Sequence, residues 1–148
     1  MAGSGSIDSS QMATTVLIVD DDEVFCEELK NVLVDAGFSV RVATDGKNAM
    51  EILNRDHELI DVAVIDLNLP HVSGFEVIGA ITRRKTAIGI LATTGIYKET
   101  FLEVAQHLGA NIAIRKPEPG EDLGPWVTAI RSILKAEGEM GRVTGTLN

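Results

Sequence analysis

Val16-Leu17-Ile18-Val19-Asp20-Asp21-Asp22-Glu23 is the stretch on which the reading of this chain turns. Four aliphatic residues in a row, with no polar alternation, are the pattern of a strand buried on both faces. The run then changes abruptly to acids. The same abrupt change recurs further along. Asp66 closes Val62-Ala63-Val64-Ile65, Thr93 closes Ile88-Gly89-Ile90-Leu91-Ala92, and Lys116 follows Ile112-Ala113-Ile114-Arg115. If these runs are neighbouring parallel strands, three carboxylates, one hydroxyl and one ammonium meet at one edge of a sheet.

The segments between these runs read as helices. Phe25, Leu29, Val32, Leu33 and Ala36 recur at helical spacing, and Gly37 follows as a stop. Ser39 to Ala43 reads as another strand and Gly46 to Asn54 as a short helix. Pro70 and Gly74 bound a loop, after which Phe75, Ile78 and Ile81 form a stripe ending in Arg83-Arg84-Lys85, a charge placement that suits a helix C-terminus. Phe101, Val104, Ala105 and Leu108 mark a fourth helix closed by Gly109. Leu123, Trp126, Val127, Ile130, Ile133 and Leu134 mark the last, which should start near Pro125, because proline fits only the first helical turn. Strands alternating with helices predict a doubly wound, flavodoxin-like (βα)5 fold with a five-stranded parallel sheet in the order 2-1-3-4-5. Ligands bind such sheets beyond the carboxyl ends of the strands, where the strand order reverses. In this order that point lies between the strands ending in Asp20 and Asp66.

The rest of the chain is consistent with one domain. Its 148 residues are 45% hydrophobic and 24% charged, enough for one real core. Aromatics make up only 4%, so the core must be aliphatic. Residues 1–13 are rich in Gly and Ser and read as a flexible tail or an expression remnant, 14–137 as the folded domain, and 138–148 as a second flexible tail. A net charge of -9 repels nucleic acid phosphates and argues against direct DNA binding. No apolar run approaches the length of a membrane helix, and no signal peptide opens the chain. The single cysteine, Cys26, allows no internal disulfide and reads as a small surface or half-buried helix residue; a cytoplasmic location is expected. His57 and His71 lack metal-ligand spacing and read as loop residues. Trp126 reads as a helix-packing residue.

Clustered carboxylates repel one another and stay ionised together only beside a cation. Hard oxygen ligands suit Mg²⁺, and Lys116 supplies a permanent positive charge. A carboxylate in such a setting can attack phosphorus and form an aspartyl phosphate. Phosphate-based signalling is therefore the leading functional expectation from the residues alone.

The stretch Val16 to Glu23, the stretch Val64-Ile65-Asp66-Leu67-Asn68-Leu69-Pro70 with Gly74, the Thr93 position and Lys116-Pro117 together resemble the receiver domain of bacterial response regulators, over about Thr15 to Ala136. The resemblance implies a phosphoacceptor signalling module of two-component or phosphorelay systems rather than an enzyme with turnover. It implies that Asp66 takes a phosphoryl group from a histidine kinase or histidine phosphotransfer protein, and that Asp20, Asp21, Asp66 and the backbone carbonyl of Asn68 hold Mg²⁺, with Asp21 the more direct of the acidic pair. Thr93 would be the switch hydroxyl and Lys116 the lysine that pairs with the phosphate. A downstream protein partner, a monomer or weak dimer, and a cis Lys116-Pro117 peptide also follow from it. The chain departs from the family at Ala113, where receivers usually carry an aromatic residue, and in the unusual segment Glu118-Pro119-Gly120-Glu121-Asp122.

Other readings remain open at this point. One is a receiver that is part of a longer regulator or hybrid kinase. Another is a degenerate receiver that acts by contacts independent of phosphorylation. A phosphohydrolase of the haloacid dehalogenase type would want an acid two residues after its nucleophile, where this chain has Asn68. A flavodoxin-like cofactor binder would want a Ser/Thr/Gly-rich loop where this chain has Asp21-Asp22-Glu23.

Overall fold

A computed structural model of the chain describes residues 13–95 and 99–147, with side chains described as far as Ala136. Apart from Ala13, the expected N-terminal tail lies outside the described residues. The elements are β1 (Thr15–Val19), α1 (Glu23–Asp35), β2 (Ser39–Ala43), α2 (Gly46–Asp56), β3 (Val62–Asp66), α3 (Gly74–Arg83), β4 (Gly89–Thr94), α4 (Glu99–Leu108), β5 (Ile112–Arg115) and α5 (Gly124–Leu147). The five strands form one parallel sheet in the order β2-β1-β3-β4-β5, as the alternation of patterns predicts.

The continuous apolar runs have the burial expected of them. Side chains of β1 and β3 alternate between two cores. Leu17, Val19, Ala63 and Ile65 pack with residues of α2, α3 and α4. Val16, Ile18, Val62 and Val64 pack with α1 and α5. Every residue of β3 and β4 is buried, because helices cover both faces of the sheet. β5 is the thin edge, with three half-buried residues and an exposed Arg115.

Local chemistry fixes the helix starts. The Asp22 carboxylate accepts hydrogen bonds from the amides of Val24 and Phe25, both at 3.1 Å, and so caps α1. Asp45 caps α2 through the Asn48 amide at 2.7 Å. Ser73 accepts from the Glu76 amide at 3.2 Å to cap α3. Close approaches at Gly89 and Gly74 need glycine. A Cβ at Gly89 would lie 2.3 Å from Ile133 Cγ2, so its absence lets α5 settle on the start of β4. A Cβ at Gly74 would lie 2.1 Å from the Asp66 carbonyl oxygen, so α3 begins hard against the end of β3.

The structure departs from the sequence reading in four places. A single 3₁₀ turn, His57–Leu59, follows α2, closed by the Ile60 amide on the His57 carbonyl at 3.2 Å. The backbone of α5 continues to Leu147, through the stretch read as a tail. Its glycines each weaken a helix by about 1 kcal/mol relative to alanine, but no proline follows Pro125 to end it. Cys26 is buried, only 5% exposed, because it lies one residue after Phe25 on a wide apolar stripe of α1. Finally, no peptide bond among the described residues is cis, so Lys116–Pro117 takes the trans form ordinarily favoured before proline.

Candidate functional site

The site is assembled at the carboxyl edge of the sheet from residues at or just beyond the strand ends. The Asp20 amide donates to the Ala43 carbonyl at 3.1 Å, continuing the β1–β2 ladder by one residue and fixing where its carboxylate starts. Asp66 ends β3, in register with Thr93 on β4. The Leu67 amide donates to the Thr93 carbonyl at 2.8 Å, and the Lys116 amide to the Thr94 carbonyl at 2.8 Å. The sheet therefore brings all four side chains to one edge.

Asp20 and Asp66 are anchored in the same way. Asp20 Oδ1 accepts from the Asp22 amide at 2.9 Å, and Asp66 Oδ1 from the Asn68 amide at 2.9 Å. Each is a turn closed by an aspartate on the amide two residues later. Both carboxylates are nearly inaccessible, at 1% and 4% exposed, whereas Asp21 is exposed. Lys116 Nζ lies 3.0 Å from Asp20 Oδ1 and 2.8 Å from Oδ2, and 3.5 Å from Asp66 Oδ2. The 2.8 Å approach is an ion-pair contact outside hydrogen-bond alignment, so the buried Asp20 Oδ2 accepts no hydrogen bond. The Thr93 hydroxyl is also fully buried and has no hydrogen-bond partner among the described residues.

Burial governs the electrostatics. It raises the Asp20 carboxyl to about 6, with the Asp66 charge adding to the shift and the Lys116 contact opposing it. Burial also raises Asp66, against the Asn68 amide and the lysine. For Lys116, burial works against the charge, but the Asp20 contact and the surrounding acids outweigh it and lift the ammonium above its ordinary value. Among the described residues, one ammonium serves two buried carboxylates and an exposed third.

One carboxylate oxygen each from Asp20, Asp21 and Asp66 lie within 4.8 Å of one another. This hard oxygen set, with one buried oxygen accepting no hydrogen bond, fits a small divalent cation. Asp20, Asp21, Asp66, Thr93 and Lys116 are thus brought together, and the Asn68 amide is hydrogen-bonded to Asp66. Ala113 lies half-buried on β5 and packs against the core on the α2–α4 side. Phe25 is the neighbour that sequence reasoning missed. Its ring lies 4.9 Å from Lys116 Nζ, and it reads in the sequence only as part of an apolar stripe.

Residues 16–127 match the response regulator receiver domain family. The chain belongs to that family. Among curated proteins it is similar to the response regulator SaeR of Staphylococcus aureus, 31% identical over 104 residues, covering 70% of this chain and 44% of SaeR. It is also similar to a cyclic di-GMP phosphodiesterase of Thermotoga maritima, 33% identical over 103 residues, covering 70% of this chain and 27% of that protein. The receiver therefore spans less than half the length of these relatives. Among solved structures, a CheY-like response regulator receiver domain protein from Methanospirillum hungatei superposes with a TM-score of 0.79 at 20% identity, covering 87% of this chain and 99% of that one. The CheX–CheY–BeF₃–Mg²⁺ complex from Borrelia burgdorferi gives 0.76 at 22% identity, covering 86% and 94%. These likenesses establish the CheY-like fold of the receiver. The family is a signalling module of two-component systems. No helix among the described residues is long and apolar enough to cross a membrane.

Proposed function

We propose that this receiver is a phosphoacceptor: Asp66 takes a phosphoryl group from a histidine kinase or histidine phosphotransfer protein, and phosphorylation switches binding of a downstream protein. The observation that carries this reading is the pairing of a buried Asp66 carboxylate, 3.5 Å from the Lys116 ammonium, with the buried Thr93 hydroxyl, which has no hydrogen-bond partner among the described residues and lies in register on the next strand.

In the proposed transfer, an Asp66 oxygen attacks phosphorus as the bond from phosphorus to the donor's imidazole nitrogen breaks, and the departing ring, protonated on its other nitrogen or by solvent, is left as a neutral histidine while Asp66 carries a mixed anhydride. Lys116 balances charge on the equatorial oxygens, which are the positions where charge accumulates in phosphoryl transfer. Thr93 donates a hydrogen bond to a phosphoryl oxygen and so finds the partner its buried hydroxyl lacks. Asp20, Asp21, Asp66 and the Asn68 carbonyl would hold Mg²⁺, which when bound supplies the positive charge that lets nucleophile and phosphate approach. The role is that of a self-phosphorylating and self-dephosphorylating switch in the cytoplasm, as a monomer or weak dimer, rather than of an enzyme with a substrate turned over.

The test is the intact mass of the protein after incubation with acetyl phosphate, with and without Mg²⁺, for the wild type and Asp66→Asn. A single Mg²⁺-dependent phosphoryl adduct in the wild type and none in the variant is expected. No adduct in the wild type contradicts the reading and leaves a receiver that works by protein contacts alone.

A further inference from the structure

Lys116 reaches the acids on a flexible four-carbon stem, and the carboxylates are not its only contacts. The Phe25 ring lies beneath it at 4.9 Å from Nζ, within the range where an aromatic quadrupole attracts an ammonium. The lysine is only 15% exposed, so this attraction is weakly screened. Phe25 is itself fixed. It is 6% exposed, lies in the first turn of α1, and meets the Trp126 ring edge-on at a centroid distance of 6.1 Å and an interplanar angle of 70°. Trp126, on α5, is 4% exposed. The order is therefore a buried indole, a buried phenyl ring and then the ammonium.

We propose that Phe25 is a positioning residue for Lys116, its ring holding the ammonium aimed at the Asp20–Asp66 pair before any phosphoryl group arrives. The inference rests on the phosphoacceptor reading above. The anchored Asp20 carboxylate draws the lysine close, to 2.8 Å, whereas Asp66 holds it only at 3.5 Å. The ring adds a second, non-titrating attraction from a different element, and so restricts the ammonium to the region where both carboxylates are in reach. An aliphatic side chain at position 25 would keep the position apolar but present no quadrupole to the charge. Asp22 contributes in turn, since its cap on the Phe25 amide sets where the ring begins.

The test compares wild type, Phe25→Leu and Phe25→Tyr by two readouts. The first is the proton chemical shift of the Lys116 ε-methylene in a side-chain-labelled sample. It is expected to lie upfield from the ring current in wild type and Phe25→Tyr, and to return to the ordinary lysine value in Phe25→Leu. The second is the rate of phosphoryl uptake from acetyl phosphate in saturating Mg²⁺. It is expected to be roughly threefold to tenfold slower in Phe25→Leu and close to wild type in Phe25→Tyr. Amide spectra matching the wild type would show that the leucine variant is folded. An ordinary Lys116 shift in the wild type overturns the inference whatever the kinetics. A folded Phe25→Leu protein that takes up phosphate at the wild-type rate also overturns it, while leaving the phosphoacceptor reading intact. A wild type that takes up none overturns the reading itself, and the inference with it.

Discussion

At the scale of single residues, the candidate site is held slightly against its own electrostatics. The Asp20 carboxyl is pushed up from its ordinary 3.8 to about 6, because burial disfavours its charge more than Lys116 restores it. A raised carboxyl pKa means that the folded state binds more protons than the unfolded state between those values. The contribution of Asp20 is therefore most favourable below about pH 4 and is lost as pH rises through about 6. In the absence of divalent cations, Asp20→Asn should leave stability nearly unchanged near pH 4. It should make the protein more stable than wild type by roughly 1–3 kcal/mol at pH 7, read by urea denaturation. An Asp20→Asn protein less stable than wild type at pH 7 would show that the lysine pair outweighs the burial. Much of the site was legible in the sequence at this scale, because an acid, hydroxyl or lysine directly after a buried run can only emerge at a strand end. The Phe25–Lys116 contact was not legible, because it joins residues far apart in the chain and an aromatic ring in an apolar stripe carries no mark of what lies above it. The burial of Cys26 was missed for a related reason: helical spacing gives the centre of a stripe better than its width. Its thiol, pushed up to about 12 by burial and donating to the Asp20 carbonyl at 3.3 Å, behaves as a small core residue.

At the scale of elements, the start of α3 sets the geometry of Asp66. At Gly74 the obstacle is backbone: an added Cβ would sit 2.1 Å from the Asp66 carbonyl oxygen and 2.7 Å from Leu67 Cα, neither of which can rotate away. Gly74→Ala should lower stability by about 1–3 kcal/mol and slow phosphoryl uptake, since α3 and the end of β3 must separate. Gly79, in the middle of the same helix, is the control. A Cβ there meets only the Arg83 guanidinium, at 3.1 Å, on a side chain free to move. Gly79→Ala should stabilise the protein by about 0.5–1 kcal/mol with uptake unchanged, a contrast that paired thermal melts and uptake rates would read directly. Strand limits and helix faces were legible at this scale because their periods differ. The 3₁₀ turn after α2 was not, since His57-Glu58-Leu59 has neither period. The continuation of α5 was obscured by the glycines after Ala136, which signal a break that the backbone does not make.

At the scale of the whole molecule, the fold follows from two facts about the chain. Its strands are continuous aliphatic runs that need cover on both faces, and helices between them supply it, α1 and α5 on one side and α2, α3 and α4 on the other. Parallel strands put all their carboxyl ends at one edge, so residues from four separate runs converge without any local signal linking them. That is why the fold and the site were legible together, and why the identity of the partner was not, since the surfaces that recognise it follow no such period. The central claim is that Asp66, among three neighbouring acids, carries the phosphoryl group. An acyl phosphate is reduced by borohydride to the alcohol, converting the modified aspartate to homoserine. Borohydride treatment after incubation with acetyl phosphate and Mg²⁺, followed by peptide mass mapping, should place homoserine at position 66 alone. Homoserine at position 20 or 21, or none in a protein that has gained phosphate, would contradict the account.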